Sequence, residues 1–342
     1  FLGKRENWGK GGGDMEEFRW GCRVRTGWTE DWQALRPLVL TGPDIPEDRP
    51  PGRVFSHAQA TEQSVWAAAL AAREYRADRI IAFGDGDVLS CGKLAAMASG
   101  RKLTTVPTDL SGLAVTGTGR LNGKIFRQEA CVPDLAVLDG KKLKSNEIFP
   151  VLSRSVEAYA ARNAGVLSDC LAAEAFRLAL NSRAGEKRLL ADALSAVAAE
   201  NAGEGVCGVL CRAVSAAFPG MENALAAIFL PAAVRLNAQL DAKKYAALAR
   251  SANLGGSTAA LGTQRLCQCL ERLRRESGLP EDLLSAGIRQ EELWRRTGDI
   301  TAAALADPAL AGNPRRVEAF MLRRILDGAA RRRPGNEWEG LA

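Results

Sequence analysis

Histidine is nearly absent: His57 is the only one in 342 residues. A chain with one imidazole cannot build a centre that needs several histidines, and its commonest neutral-pH proton carrier exists at a single position. Long apolar runs are also missing. None reaches the roughly 18 to 20 residues of a helical membrane span, so no membrane partner is expected. The amino end FLGKRENWGKGGGD lacks the apolar core and cleavage pattern of a secretory signal, and a cytoplasmic protein is the expectation. The eight cysteines are scattered, and the nearest pairs, Cys207/Cys211 and Cys267/Cys269, do not form a CxxC…CxxC zinc pattern. Buried thiols in a reducing compartment are the expected reading. There is no internal repeat, because the alanine-rich segments share composition without a fixed period. Nor is there a dominant basic block. The net charge of +6 comes from 46 basic residues interleaved with 40 acidic ones. The densest cluster, RRILDGAARRRPG, reads as a solvated helix end, so nucleic acid is not an expected partner.

What remains is a globular composition, 46% hydrophobic, long enough for two ordinary domains. From about residue 17 to 145, apolar or β-branched runs (LRPLVLTG, GRVFS, DRIIAFG, KLTTVPT, PDLAVLD) alternate with helical patterns such as TEQSVWAAALAAREYRAD. That is the βαβ rhythm of a parallel sheet. From 146 to 330 the strand signals stop, and alanine and leucine at helical spacing fill segments near 150–183, 186–199, 220–250, 258–276 and 313–330. The expected organisation is a flexible amino end (1–16), an α/β nucleotide-binding domain (17–145), an all-helical domain (146–330) and a basic tail (331–342).

The stretch IIAFGDGDVLSCGK, residues 80–93, ends an apolar run in a glycine turn and opens a helical pattern. Such a turn aims backbone N–H groups and a helix N-terminus at an anion, which is how chains cradle phosphate. Gly84 and Gly86 supply the turn, and Lys93 follows one to two helical turns later. Asp85 and Asp87 place two carboxylates in the same cradle. A unit charge about 6 Å from a phosphate costs roughly 1 to 3 kcal/mol at effective dielectric constants between about 80 and 20. Asp87 reads more naturally as the helix N-cap than as a ligand contact.

Six segments in order then resemble the iron-type alcohol dehydrogenases. That family has GGGS..D.AK, PTT.GTGSE, PD.AI.D, D...H..EAY, HG.A.AI.LP.V..FN and NPR. This chain has FGDGDVLSCGK, VPTDLSG, VPDLAVLD, SRSVEAYAARN, ENALAAIFLPAAVRLNAQ and AGNPRRVEAF. The resemblance covers residues 36–330, with FRWGCRVRTGWTEDW as the leading strand and turn. It implies the dehydroquinate synthase-like fold and NAD(P)-linked interconversion of a small alcohol with an aldehyde or ketone, assisted by a divalent metal acting as a Lewis acid. Dimerisation, with itself or with a homologue, is a further expectation.

Carried over position by position, the family's Asp and three His fall on Pro150, Arg154, Ser215 and Glu222. Arg154 offers no lone pair, and one carboxylate cannot hold iron or zinc, so no metal is expected. Arg154 and Glu222 are the candidate catalytic residues, with Arg154 as a fixed cation for an alkoxide; an ordinary ion pair is the competing reading. His57 is expected to be a surface or turn residue. The resemblance places a cofactor, NAD or NADP, against Gly84, Asp85, Gly86, Asp87, Thr108, Ser111 and Lys124. Gly42 stands where the family often has an Asp for the adenine ribose, which leaves room for a 2′-phosphate, although Asp44 lies two residues on. Three readings stand: a metal-free oxidoreductase of weak or lost activity, an inactive relative serving assembly or regulation, and, disfavoured, a polyol or sugar-phosphate enzyme of the glycerol dehydrogenase and dehydroquinate synthase kind.

Overall fold

The computed structural model describes residues 21–26, 36–47, 49–145 and 147–330. The expected amino end (1–16) and basic tail (331–342) lie outside the described residues, as do most of the residues of FRWGCRVRTGWTEDW. Six strands, β1 (Arg23–Thr26), β2 (Pro37–Thr41), β3 (Arg53–Phe55), β4 (Arg79–Gly84), β5 (Lys102–Pro107) and β8 (Leu135–Leu138), form one sheet in the order β1-β8-β5-β4-β2-β3. Every pairing in it is parallel, with Leu38 opposite Ile80 and Ile80 opposite Leu103.

The central strands read as continuous apolar runs because both faces are covered. Val39, Ile81, Phe83, Val106 and Val137 form a cluster on one face. Leu38, Leu40, Ile80, Ala82, Leu103 and Leu138 point to the other, into the main core. Helices α1 (Glu62–Glu74) and α2 (Gly86–Ser99) connect strands of this sheet. Gly92 lets α2 approach β4, since a Cβ there would lie 2.5 Å from that of Ala82. An antiparallel hairpin, β6 (Thr118–Leu121) with β7 (Lys124–Arg127), was not foreseen. It is short and solvated, without the apolar alternation that marks a strand.

From Phe149 to Ala329 the chain is helical: α3 (Phe149–Ala160), α4 (Val166–Asn181), α5 (Gly185–Ala202), α6 (Val206–Ala217), α7 (Glu222–Ser251), α8 (Ala259–Glu276), α9 (Gln290–Ala306) and α10 (Ala319–Ala329). The alanines have a packing role. Ala158, Ala161, Ala172, Ala198, Ala199 and Ala202 form a cluster of their own, which lets α3, α4 and α5 pack closely. The expected helix over 150–183 is two helices, because Ala161 leaves helical geometry at ψ 154° and Arg162 N–H donates to Gly312 O. Helix α7 bends at Asp241 (φ −142°), whose carboxylate caps the second half by accepting from Lys243 N–H at 3.0 Å.

Candidate functional site

The cradle forms where β4 ends at Gly84 and α2 begins at Gly86, with Asp85 between them in extended backbone. Asp85 is the N-cap, its Oδ1 accepting from Asp87 N–H and Val88 N–H, each at 3.1 Å. The cap expected at Asp87 therefore belongs to Asp85, because only a side chain preceding the first turn can reach the second and third amides. Asp87 sits exposed in that first turn, its carboxyl pushed up by burial of part of the group and by Asp85. The first amide of the helix, Gly86 N–H, donates to Asp109 Oδ2 at 2.9 Å. Asp109 Oδ1 also accepts from Ser111 N–H, at 3.3 Å. Thus the three amides that open α2 all donate to carboxylates of this chain. Burial, reinforced by Asp85, raises the Asp109 carboxyl, while the bonds from Ser111 and Gly86 pull it back.

The loop carrying Asp109 lies over the cradle. Thr108 N–H donates to Gly84 O at 2.9 Å, and Ser111 Cβ is 3.1 Å from where a Gly86 side chain would begin. The structure therefore brings together Gly84, Asp85, Gly86, Asp87, Thr108 and Ser111. Lys124 is exposed in the β6–β7 hairpin. A pyrophosphate needs free amide donors at the start of the helix. In this arrangement those donors are satisfied internally, Gly86 N–H by Asp109 and the Asp87 and Val88 amides by Asp85, so the cradle does not fit a pyrophosphate without displacing those carboxylates. Lys93 is buried behind the cradle, its Nζ donating to Thr116 O (2.7 Å) and Thr118 O (2.5 Å). Burial brings its pKa down to about 7, against the upward pull of Glu200.

The helical part meets this loop through Arg154. Its guanidinium forms an ion pair with Asp192 of α5, Nε donates to Ser195 Oγ at 3.2 Å, and Nη2 donates to Leu110 O at 3.2 Å. Asp192 Oδ2 in turn accepts from Gly112 N–H at 3.0 Å. Gly112 has φ +76°, and a side chain there would start 2.9 Å from Arg154 Cζ. The Arg154 partner is thus Asp192. Glu222 opens α7 in an exposed position, near enough to Glu147 to help raise that carboxyl, after burial. Pro150 lies in the first turn of α3, and Ser215 Oγ is buried without a partner. A proline, a paired arginine, a hydroxyl and one exposed carboxylate do not fit a divalent metal. Among the described residues no group of three or more His, Cys, Asp or Glu side chains could hold a metal ion. His57 is exposed in a turn at φ +57°.

Asp109, Asp192 and Glu157 were not singled out by sequence reasoning as site residues. Asp109 had a local signal, since an Asp two residues before Ser111 can accept the Ser111 amide in an Asx-turn. Asp192 had none, because its partners lie 38 and 80 residues away. Glu157, buried in α3, caps α6 by accepting from Cys207 N–H (2.6 Å) and Gly208 N–H (2.9 Å). Burial raises its pKa to about 7. The same helix start is held by Asn313, whose Oδ1 accepts from Val206 N–H (3.2 Å) and Asn237 Nδ2 (2.9 Å).

Known proteins share this architecture. The chain is 25% identical over 211 residues to the NADPH-dependent butanol dehydrogenase of Clostridium saccharobutylicum, covering 57% of this chain and 54% of that protein. It thus spans about half the length of that relative. It is 26% identical over 295 residues to the 1-propanol dehydrogenase PduQ of Citrobacter freundii, covering 74% and 78%. The sulfoacetaldehyde reductase of Bifidobacterium kashiwanohense, solved in complex with NAD+, superposes with a TM-score of 0.80 over 93% of this chain and 99% of that one, at 16% identity. The family model for the C-terminal part of the Fe-containing alcohol dehydrogenases matches residues 149–329, from the start of α3 to the end of α10. That match takes in more than half of the sequence, and on it, with the sheet-then-helices fold, the chain belongs to the Fe-containing alcohol dehydrogenase family.

Proposed function

We propose that this chain is a metal-free relative of the NAD(P)-linked alcohol dehydrogenases and aldehyde reductases, with weak or lost activity towards short-chain alcohols and aldehydes. The substrate class follows the names of its relatives, butanol and 1-propanol dehydrogenases. The observation that carries the proposal is the internal satisfaction of the Gly86, Asp87 and Val88 amides by Asp109 and Asp85. A dinucleotide must displace a carboxylate from the helix start before its own phosphate can bind, and the displaced charge stays nearby to oppose it. The pairing of Arg154 supports the same reading. Arg154 is already paired with Asp192 and donates to Ser195 Oγ and Leu110 O, which leaves it little freedom to meet an alkoxide.

The test is turnover of short aldehydes and alcohols with NADPH, NADH and their oxidised forms, with and without added Fe²⁺ or Zn²⁺. Turnover should be weak or absent, and added metal should not raise it. Any residual activity should change less than about tenfold in folded Arg154→Gln, well short of the scale of one lost oxyanion donor. Strong turnover that appears only with metal would overturn the proposal. An assembly role is the second reading, favoured by Trp66 (64% exposed) and Leu70 (57% exposed), one turn apart on α1. A monomeric mass by light scattering, unchanged in Trp66→Glu, would remove it as a self-assembly surface.

A further inference from the structure

Helix α1 buries one face, Val65, Ala68, Ala69 and Ala72, in the main core. Its other face is exposed and carries Glu62, Gln63, Trp66, Leu70, Arg73 and Glu74. At the centre of that face Trp66 is 64% and Leu70 57% exposed. Among the described residues, no other two of the exposed large apolar side chains stand four apart on one helix. Trp is strongly enriched at the energetic centres of interfaces, because covering it removes a large apolar area from water.

The order of residues on this face is self-complementary. At about 100° per residue, Glu62 and Arg73 fall on one flank of the helix within about 20° of each other, and Gln63 and Glu74 fall on the other flank, equally close. Trp66 and Leu70 lie between the flanks. The midpoints of all three pairs fall between Ala67 and Ala69. A two-fold axis at that level, perpendicular to the helix and lying in the contact plane, sets each flank against the same flank of a second copy in reverse order. Glu62 then meets Arg73, Gln63 meets Glu74 and Trp66 meets Leu70, each contact made twice. Antiparallel alignment also puts the positive start of each helix beside the negative end of the other. Arg73 is held at that end, because its Nη2 donates to Ala98 O in the last turn of α2. Ala67, exposed and level with the axis, lets the two helices approach. Symmetry within one helix is what an isologous contact requires, and a contact with a different protein does not require it.

We propose that two copies of this chain pair through α1, antiparallel about a two-fold axis level with Ala68. This pairing rests on the reading of Trp66 and Leu70 as a self-assembly surface and gives that surface its geometry. A helix of 13 residues is about 20 Å long. One pair of such helices covers less than the roughly 1,200 Å² of a standard interface, so the dimer is weak, with a dissociation constant on the order of 10 µM or above.

Sedimentation velocity on the full chain, from roughly 1 to 200 µM, tests the pairing, with circular dichroism to check that each variant folds. The parent should pass from monomer to dimer across that range, and Trp66→Glu should stay monomeric. Glu62→Arg and Arg73→Glu each set like charges opposite one another twice, and each alone should dimerise at least about fivefold more weakly than the parent. An equimolar mixture of those two variants should recover dimers close to the parent level, because both 62–73 contacts in a mixed pair join opposite charges. Each variant is its own folding control in that mixture. A parent that stays monomeric would overturn the pairing together with the self-assembly reading. A parent dimer lost in Trp66→Glu but unchanged in both charge variants, or a mixture no better than either variant alone, would overturn the pairing and leave Trp66 as an assembly surface of other geometry. A dimer that survives Trp66→Glu would place the interface elsewhere and overturn both.

Discussion

Lys93 carries an ammonium group into a fully buried place behind the cradle, and desolvation lowers its pKa from 10.5 to about 7. In the folded chain it releases its proton near pH 7, whereas in the unfolded chain it keeps that proton to about 10.5. Unfolding therefore takes up a proton across this window, and the Lys93 contribution makes stability rise as pH increases from about 7 towards 10.5. Denaturation at pH 7 and pH 9 should show that rise in the parent and a smaller one in Lys93→Met; equal slopes in the two proteins would contradict it. Arg154 and Asp192 form a costly pair in which the carboxylate is buried. Removing one partner leaves a charge buried alone, so Arg154→Ala should destabilise by about 3 to 5 kcal/mol, and Arg154→Met with Asp192→Leu should recover much of that loss. Urea unfolding of the single and double variants checks the coupling. Arg154 was visible in the sequence because it interrupts a family pattern, but its partner was not. No local pattern links residues 154 and 192, and only the packing of α3 on α5 puts them in contact.

At the level of elements, the starts of α2 and α6 are both held by carboxylates, and they differ in how visible they are. Asp85 caps α2 from the adjacent position, so the sequence GDGD contained the cap, one residue pair earlier than expected. Glu157 caps α6 from another helix, which no sequence window contains. Glu157→Ala leaves the Cys207 and Gly208 amides buried without acceptors and should cost about 2 to 3 kcal/mol in denaturant unfolding. Glu157→Gln, which keeps one carbonyl acceptor, should cost less, and an equal loss in both would argue against the cap. The central strands were legible because both sheet faces are buried, so each strand is a continuous apolar run. Helix α9 was missed for the opposite reason. In QEELWRRTGDITAAALA only Leu293, Ile300, Thr301 and Ala304 are buried, and the charged first turns conceal the apolar stripe.

Across the whole molecule, the loop at 108–112 joins the two parts. From the sheet side Asp109 reaches the start of α2, and from the helical side Arg154 and Asp192 hold Leu110 and Gly112. A ligand at the cradle must therefore disturb contacts that tie sheet to helices. The order of motifs made the fold and the position of the cradle legible. The filling of the cradle was only half legible, since Asp85 and Asp87 were apparent but the folding-over of Asp109 requires the loop path. The most direct measurement is calorimetric titration of NADPH at low ionic strength into the parent protein and into Asp85→Gly with Asp109→Thr. If the chain's own carboxylates fill the anion seat, the double variant should bind at least about tenfold more tightly, with the gain shrinking as salt is raised. Micromolar binding by the parent, unchanged in the variant, would contradict the account.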